Sequence, residues 1–323
     1  MSTAKILGLG NALVDIVIQL ENDSQLDELS LPKGSMQLVD LERAQRILDY
    51  FKKSPRTITS GGSVANTLNG IANLGGIASF VGCVGNDSYG EFFKTDMLEN
   101  GIKPQLFTGT VGTGTAITLM SPDSERTFAT YLGSAIELSA KHLSIEHFKG
   151  YDYFHIEGYL VQNYDLIRTA IQLAKQAECR VSLDLASYNV VEENLSFLKE
   201  MVENHVDILF ANQEESHAFC GKSGEEALAF FSKFVEYTIV KIGKKGSWVQ
   251  FQNQIEHIGG RTVDVIDTNG AGDAYSAGFL YGLMTGTELK SCGNLGAKLA
   301  GEVVQVVGPK LHNEQWQKIL NKT

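Results

Sequence analysis

Cysteine is scarce in this chain, and so are the spacings that would put it to chemical use. Cys83, Cys179, Cys220 and Cys292 lie far apart with no C-x-x-C pair, which excludes a zinc knuckle or thioredoxin-type motif and leaves four buried structural thiols. Positive charge is also short: 27 Lys and Arg against 38 Asp and Glu give a formal net charge of -11, which argues against non-specific nucleic-acid binding. No apolar run approaches the roughly 20 residues a membrane span needs, and the opening MSTAKILGLG has no basic stretch leading into an apolar one. The expectation is a soluble, cytoplasmic protein that engages neither nucleic acid nor membrane. The motifs G-x-x-x-x-G-K-[ST], G-x-S-x-G and H-E-x-x-H are missing too, and the histidines show no metal-binding spacing. A Walker-type phosphate loop is therefore excluded.

What is present reads as a globular α/β protein. The 323 residues can bury a sizeable core, and a 43% hydrophobic, 20% charged composition is that of a folded chain. From about residue 150 onward, strand-like runs at Tyr153–Ile156, Val181–Leu185, Ile208–Ala211 and Tyr237–Lys241 alternate with helical patterns such as Leu166–Gln176. That alternation predicts a largely parallel sheet covered by helices. Two long apolar helices, Gly272–Met284 and Leu289–Val307, are expected side by side at one end of it. In the first 135 residues, Thr115–Met120 and Thr127–Tyr131 flank the turn Ser121–Arg126, a hairpin signal. With Leu13–Leu20 and Gln37–Val39 this hairpin predicts a small separate sheet, and a substrate lid is one account of its second face.

Several constellations can carry chemistry. In Asp264–Tyr275 an apolar strand is expected to run through a glycine-bearing loop straight into a helix beginning at Gly272 or Asp273. Such a helix start aims unsatisfied N–H groups and the positive end of its dipole at the loop, which makes an anion hole. A carboxylate at Asp273 can then accept the proton of an attacking hydroxyl, although the helix terminus is expected to lower its pKa. An N-capping Asp on a glycine-turned helix accounts for the same run taken alone. Ser60-Gly61-Gly62-Ser63-Val64-Ala65-Asn66 likewise puts two glycines before a helix and suits polyol recognition, or is a plain cap. Gly8-Leu9-Gly10 lacks a third glycine at Leu13 and is followed by a strand-like alternation, so the dinucleotide-binding reading fails and a strand edge presenting Asn11 and Asp15 remains. Asn212 and Glu215 follow an apolar strand and can hold Mg²⁺ with its waters, or form a helix cap. Lys241–Gly246 ends another strand in spaced glycines and lysines.

Taken in order, Gly10-Asn11 with Asp15, Gly61-Gly62-x-x-x-Asn66, Phe80–Gly90, Asn212-x-x-Glu215 and Asp267-Thr268-x-Gly270-Ala271-Gly272-Asp273 resemble the ribokinase/PfkB carbohydrate kinase family over nearly the whole chain. The resemblance implies a ribokinase-like fold: one kinase domain over residues 1–323, with a mostly parallel central sheet flanked by helices and a small β lid drawn from segments near 12–40 and 105–133. It implies transfer of the γ-phosphate of ATP to a primary hydroxyl of a small-molecule nucleoside or sugar, with Mg²⁺. By position, Asp273 is the base and Gly270, Ala271 and Gly272 the anion hole. Asn11, Asp15, Gly61, Gly62 and Asn66 hold the acceptor, Asn212 and Glu215 support the metal, and Lys241, Gly243, Gly246 and Asp267 belong to the nucleotide side. The start Gly10–Asp15, Gln37 and the lid arginine Arg126 are similar to the adenosine kinase branch, with Leu13, Val39 and Phe128 as apolar contacts for a base. A ribokinase- or fructokinase-type sugar kinase is the alternative, followed by a non-catalytic sugar-binding regulator or an NAD-linked oxidoreductase. Val303–Pro309 gives no basis for monovalent-cation activation, and the chain is compatible with a monomer or a homodimer.

Overall fold

The computed structural model describes residues 4–320. Its strands are β1 (Lys5–Leu9), β2 (Leu13–Gln19), β3 (Met36–Leu38), β4 (Arg56–Gly61), β5 (Ile77–Val84), β6 (Ile102–Thr108), β7 (Gly114–Met120), β8 (Arg126–Tyr131), β9 (Tyr153–Glu157), β10 (Arg180–Asp184), β11 (Ile208–Asn212), β12 (Tyr237–Lys241), β13 (Gly246–Phe251) and β14 (Gln254–Gly259). The larger sheet has the order β14-β13-β12-β11-β10-β9-β1-β5-β6. From β12 to β6 all pairs are parallel, and the β13–β14 hairpin extends the far edge antiparallel. These parallel strands are apolar on both sides because both faces are covered. Leu7, Leu9, Val81, Phe154 and Leu183 enter one core, while Ile6, Phe80, Ile208, Phe210 and Ile239 enter the other.

Strand order fixes where a ligand can go. Leaving β1, the chain winds through β5 and β6 to one side and through β9 to β12 on the other. The carboxyl ends of β1 and β9 therefore flank a switch point, the crevice that open α/β sheets use for ligands.

The smaller sheet has the order β3-β8-β7-β2-β4. Val14, Ile16, Ile18, Ile117, Leu119 and Ala129 pack with Leu26, Leu31, Ile47 and Phe51, so the chain's own helices Ser24–Glu28 and Leu41–Tyr50 help cover one face. The alternate residues Leu13, Asp15, Ala116, Thr118, Phe128 and Thr130 look into the cleft from the other face. The sheet gains β4, whose Arg-Thr-Ile-Thr-Ser-Gly sequence carries little strand signal of its own.

Two expectations are corrected. Residues 260–267 form no strand, and Val265 and Ile266 stand 61% and 47% exposed, so the loop before Gly270 is irregular. The helices Ala271–Met284 and Leu289–Val303 do pack together, with Gly278 against the backbone of Leu295. As expected they sit toward one end of the large sheet: Leu289–Val303 lies against β13 and β14, and Ala271–Met284 lies between it and helix Ser63–Asn73, buried nearly all round. The second stops at Val303, not Val307. Among the described residues no helix is long and apolar enough to cross a membrane.

Candidate active site

Lid and switch point enclose a cleft of about 1130 Å³. On its floor, helix Ala271–Met284 begins after Gly270, whose φ of 74° is left-handed. A side chain there would be strained, and its Cβ would sit 2.6 Å from Pro309 Cβ. The turn frees the first N–H groups of the helix toward the cleft and puts Asp273 in the first turn. Ser63 Oγ donates to Asp273 Oδ1 at 2.6 Å, and Asn66 Nδ2 to Oδ2 at 3.1 Å. Burial nevertheless pushes the Asp273 carboxyl up to about 6, against those two hydrogen bonds. The expected lowering by the helix terminus is thus reversed, because desolvation outweighs it.

The end of the cleft expected to take the acceptor is built where β1, β2, β4 and β9 converge. Gly62 has φ 100°, and a Cβ there would meet the Asn11 carbonyl oxygen at 2.2 Å. Gly61 lies equally close to Asp15, at 2.1 Å from Oδ1 to a notional Cβ, so the glycine pair lets β4 and the helix start press on β1 and β2. Asn11, Asp15, Gly62 and Asn66 all line the cleft. Glu157 at the end of β9, which the sequence reading missed, ties Asn11 to the start of helix Ser63–Asn73: its Oε1 accepts from Asn11 N at 3.0 Å and Asn11 Nδ2 at 2.7 Å, and its Oε2 from Val64 N at 3.0 Å. Burial pushes both Asp15 and Glu157 up to about 7. For Asp15, Lys310 opposes the rise. That lysine, also missed, reaches in from the C-terminal segment to donate to Ser60 Oγ at 2.6 Å and pair with Asp96 at 3.5 Å.

On the wall expected to face the nucleotide, Lys241 ends β12 and Asp184 ends β10, with Lys241 Nζ 2.9 Å from Asp184 Oδ2. Gly243 and Gly246 line the cleft beside them. Asn212 and Glu215 form a reciprocal capping box: Asn212 Oδ1 accepts from Glu215 N, while the Glu215 carboxylate accepts from Asn212 N at 2.8 Å and Nδ2 at 2.6 Å. The helix-cap reading of that tetrapeptide holds, and the capped pair also lines the cleft. Burial pushes Glu215 up to about 7. Among the described residues no group of His, Cys, Asp and Glu forms a ready-made metal cage. The oxygen donors Asn212 and Glu215 on the cleft wall suit Mg²⁺, which keeps waters and is bound largely through substrate phosphates.

Four expected site residues do not line the cleft: Gly61 only packs against Asp15, and three stand elsewhere. Gln37 is turned away from the cleft by strand alternation: it pairs with buried Ala129, while Met36 and Leu38 face inward. Arg126 reaches Asp267 instead, with Nη2 2.5 Å from Oδ1. Asp267 is 2% exposed and staples its surroundings, accepting from Asn269 N at 2.6 Å and from Gly308 N at 2.7 Å. It braces the loop before helix Ala271–Met284 from outside the cleft lining.

A family model described as pfkB family carbohydrate kinase matches residues 38–316. The chain belongs to this family. The pfkB kinase is 30% identical to the adenosine kinase of Sinorhizobium meliloti, whose crystal structure superposes with a TM-score of 0.88 over 100% of both chains. A probable sugar kinase from Rhizobium etli is also 30% identical, with a TM-score of 0.88 over 100% of this chain and 99% of its own. The adenosine kinase of Saccharomyces cerevisiae is 27% identical over 344 residues, covering 97% of this chain and 98% of its own length. The ribokinase-like architecture and an ATP-dependent phosphotransferase with an alcohol acceptor follow for this pfkB kinase. The oxidoreductase and non-catalytic readings fall with it. Gly8 and Gly10 lead from β1 into strand β2, not into a dinucleotide-binding helix.

Proposed function

We propose that this kinase moves the γ-phosphoryl group of ATP to a primary hydroxyl of a nucleoside, adenosine first. The observation that carries the reading is Asp273: a carboxylate in the first turn of a glycine-opened helix, hydrogen-bonded to Ser63 and Asn66 of the helix that follows Gly61-Gly62. It joins the anion hole to the acceptor pocket in one contact. Asp15 accepts hydrogen bonds from a vicinal diol, with Asn11, Gly61, Gly62 and Asn66 completing that wall. The N–H groups beyond Gly270 receive the phosphoryl oxygens. The acceptor oxygen bonds to Pγ as the bond from Pγ to the ADP oxygen breaks, the hydroxyl proton passes to Asp273, and ADP leaves with the bonding electron pair. A base of pKa about 6 suffices because that proton is lost late. Asn212 and Glu215 would hold Mg²⁺ and its waters; when bound it neutralises phosphate charge. Lys241, Gly243 and Gly246 stand on the nucleotide side.

A nucleoside is favoured over a free sugar by the apolar roof of Leu13, Met36, Leu38 and Phe128, a surface a purine can use and a polyol cannot. The test is ADP release with Mg-ATP against adenosine, inosine, ribose and fructose, for wild type and Asp273→Asn. Adenosine is expected to give the highest kcat/KM, and the variant to lose at least about a hundredfold in kcat with substrate binding retained. A preference for ribose or fructose would move the assignment to a sugar kinase, and full activity in Asp273→Asn would remove the base.

A further inference from the structure

Lys241 stands against the anion hole itself. Its Nζ lies 3.3 Å from where a Cβ on Gly272 would be, in the first turn of the helix that carries Asp273. From behind, the ammonium is held by Asp184 Oδ2 at 2.9 Å, and the same oxygen takes a hydrogen bond from Ser276 Oγ, one turn along that helix, at 3.2 Å. The other oxygen, Asp184 Oδ1, accepts from Ala186 N at 3.2 Å. The carboxylate is thus fixed at both ends, and it fixes the lysine. Asp184, Glu215 and Asp273 surround the ammonium and keep it charged although burial works against this. Lys241 and Asp184 both line the cleft.

We propose that Lys241 is a phosphoryl-contacting catalytic residue: its ammonium, positioned by Asp184 and Ser276, binds an oxygen of the transferred group alongside the N–H groups of the helix start. This rests on reading Gly270–Asp273 as the anion hole. In a loose transfer the negative charge is spread over the equatorial oxygens of the moving phosphoryl, and a preorganised cation there acts in the transition state. Lys241 gives up no proton; the hydroxyl proton still goes to Asp273 and the electron pair to ADP. The bland account is that Lys241 only neutralises a buried Asp184.

A charge-neutral double variant separates the two. Lys241→Met with Asp184→Asn removes both partners, so a lysine that merely balances Asp184 leaves kcat near the wild-type value. The proposal expects a melting temperature near that of wild type, unchanged adenosine KM, and kcat lowered by about 10²–10³, the range for one lost transition-state donor. It also expects the β,γ-imido analogue of ATP to bind at least about tenfold more weakly by calorimetry in Mg²⁺, with ADP affinity unaltered. Wild-type kcat in the double variant overturns the proposal. If the double variant does not fold, Asp184→Asn alone decides: a phosphoryl-facing ammonium released from its carboxylate tightens the imido analogue several-fold, and unchanged or weaker binding overturns the idea. Loss of activity in Asp273→Asn beside full activity in the double variant would remove Lys241 and leave the anion-hole reading standing.

Discussion

Asp273 behaves differently from what its place in the chain suggests. A first-turn aspartate is normally held low by the helix dipole, yet burial brings this one to about 6. In the free enzyme kcat/KM should therefore fall as pH drops through about 6, because protonation removes the base, with Asp15 at about 7 broadening the limb. Ser63 lowers the Asp273 pKa through its hydrogen bond, so Ser63→Ala should move that limb to higher pH. A pH–rate profile that stays put would show that the hydroxyl does not tune the base. At Gly270, alanine must adopt φ 74° and meet Pro309. Gly270→Ala is expected to cost about 1–3 kcal/mol, read by thermal or denaturant unfolding, and to abolish most turnover. Gly270 and Asp273 could be found in the sequence because their roles are local: a turn, a helix start, an acid in the first turn. Glu157 could not, because its partners Asn11 and Val64 come from distant strands and helices.

At the scale of elements, the proposed preference for a nucleoside rests on the small sheet. Met36 and Leu38 are 61% and 65% exposed on its inner face, apolar surface that a flat ligand can cover. Phe128→Ala should raise the KM for adenosine by roughly tenfold, the order of a lost ring contact, and leave that for ribose nearly unchanged. Equal effects on both would mean that the roof does not read the base. The far end of β8 is tied down by Arg126 on buried Asp267. Arg126→Ala leaves that carboxylate without its cation and is expected to destabilise by about 3–5 kcal/mol, measured by unfolding. The sequence could name the lid hairpin, since two alternating runs flank a turn, but not the parity of β3. One residue of register separates Gln37 from Met36 and Leu38, and only the pairing with β8 settles it. The loop 260–267 misled for the opposite reason: Val265 and Ile266 look like core and are exposed.

Across the whole molecule, the cleft concentrates acids that folding makes harder to ionise. Asp15, Glu157 and Glu215 are pushed up to about 7 and Asp273 to about 6, chiefly by burial, from unfolded values near 4. Each binds its proton more tightly when folded, so its contribution is complete below about pH 4 and is lost as pH rises through 6 to 7. Asp96 and Asp184 run the other way: Lys310 and Lys241 hold them low despite burial, and their contribution disappears in acid. The unliganded kinase should therefore melt at lower temperature at pH 8 than at pH 5.5, and Asp15→Asn should shrink the difference. A pH-independent melting curve would contradict this balance. The contact between Ser63 and Asp273 spans 210 residues of chain. On the roles proposed here, the acceptor loop is synthesised long before its base, so an unfinished chain lacks the means to transfer or waste a phosphate until the helix at Ala271 packs beside the helix at Ser63.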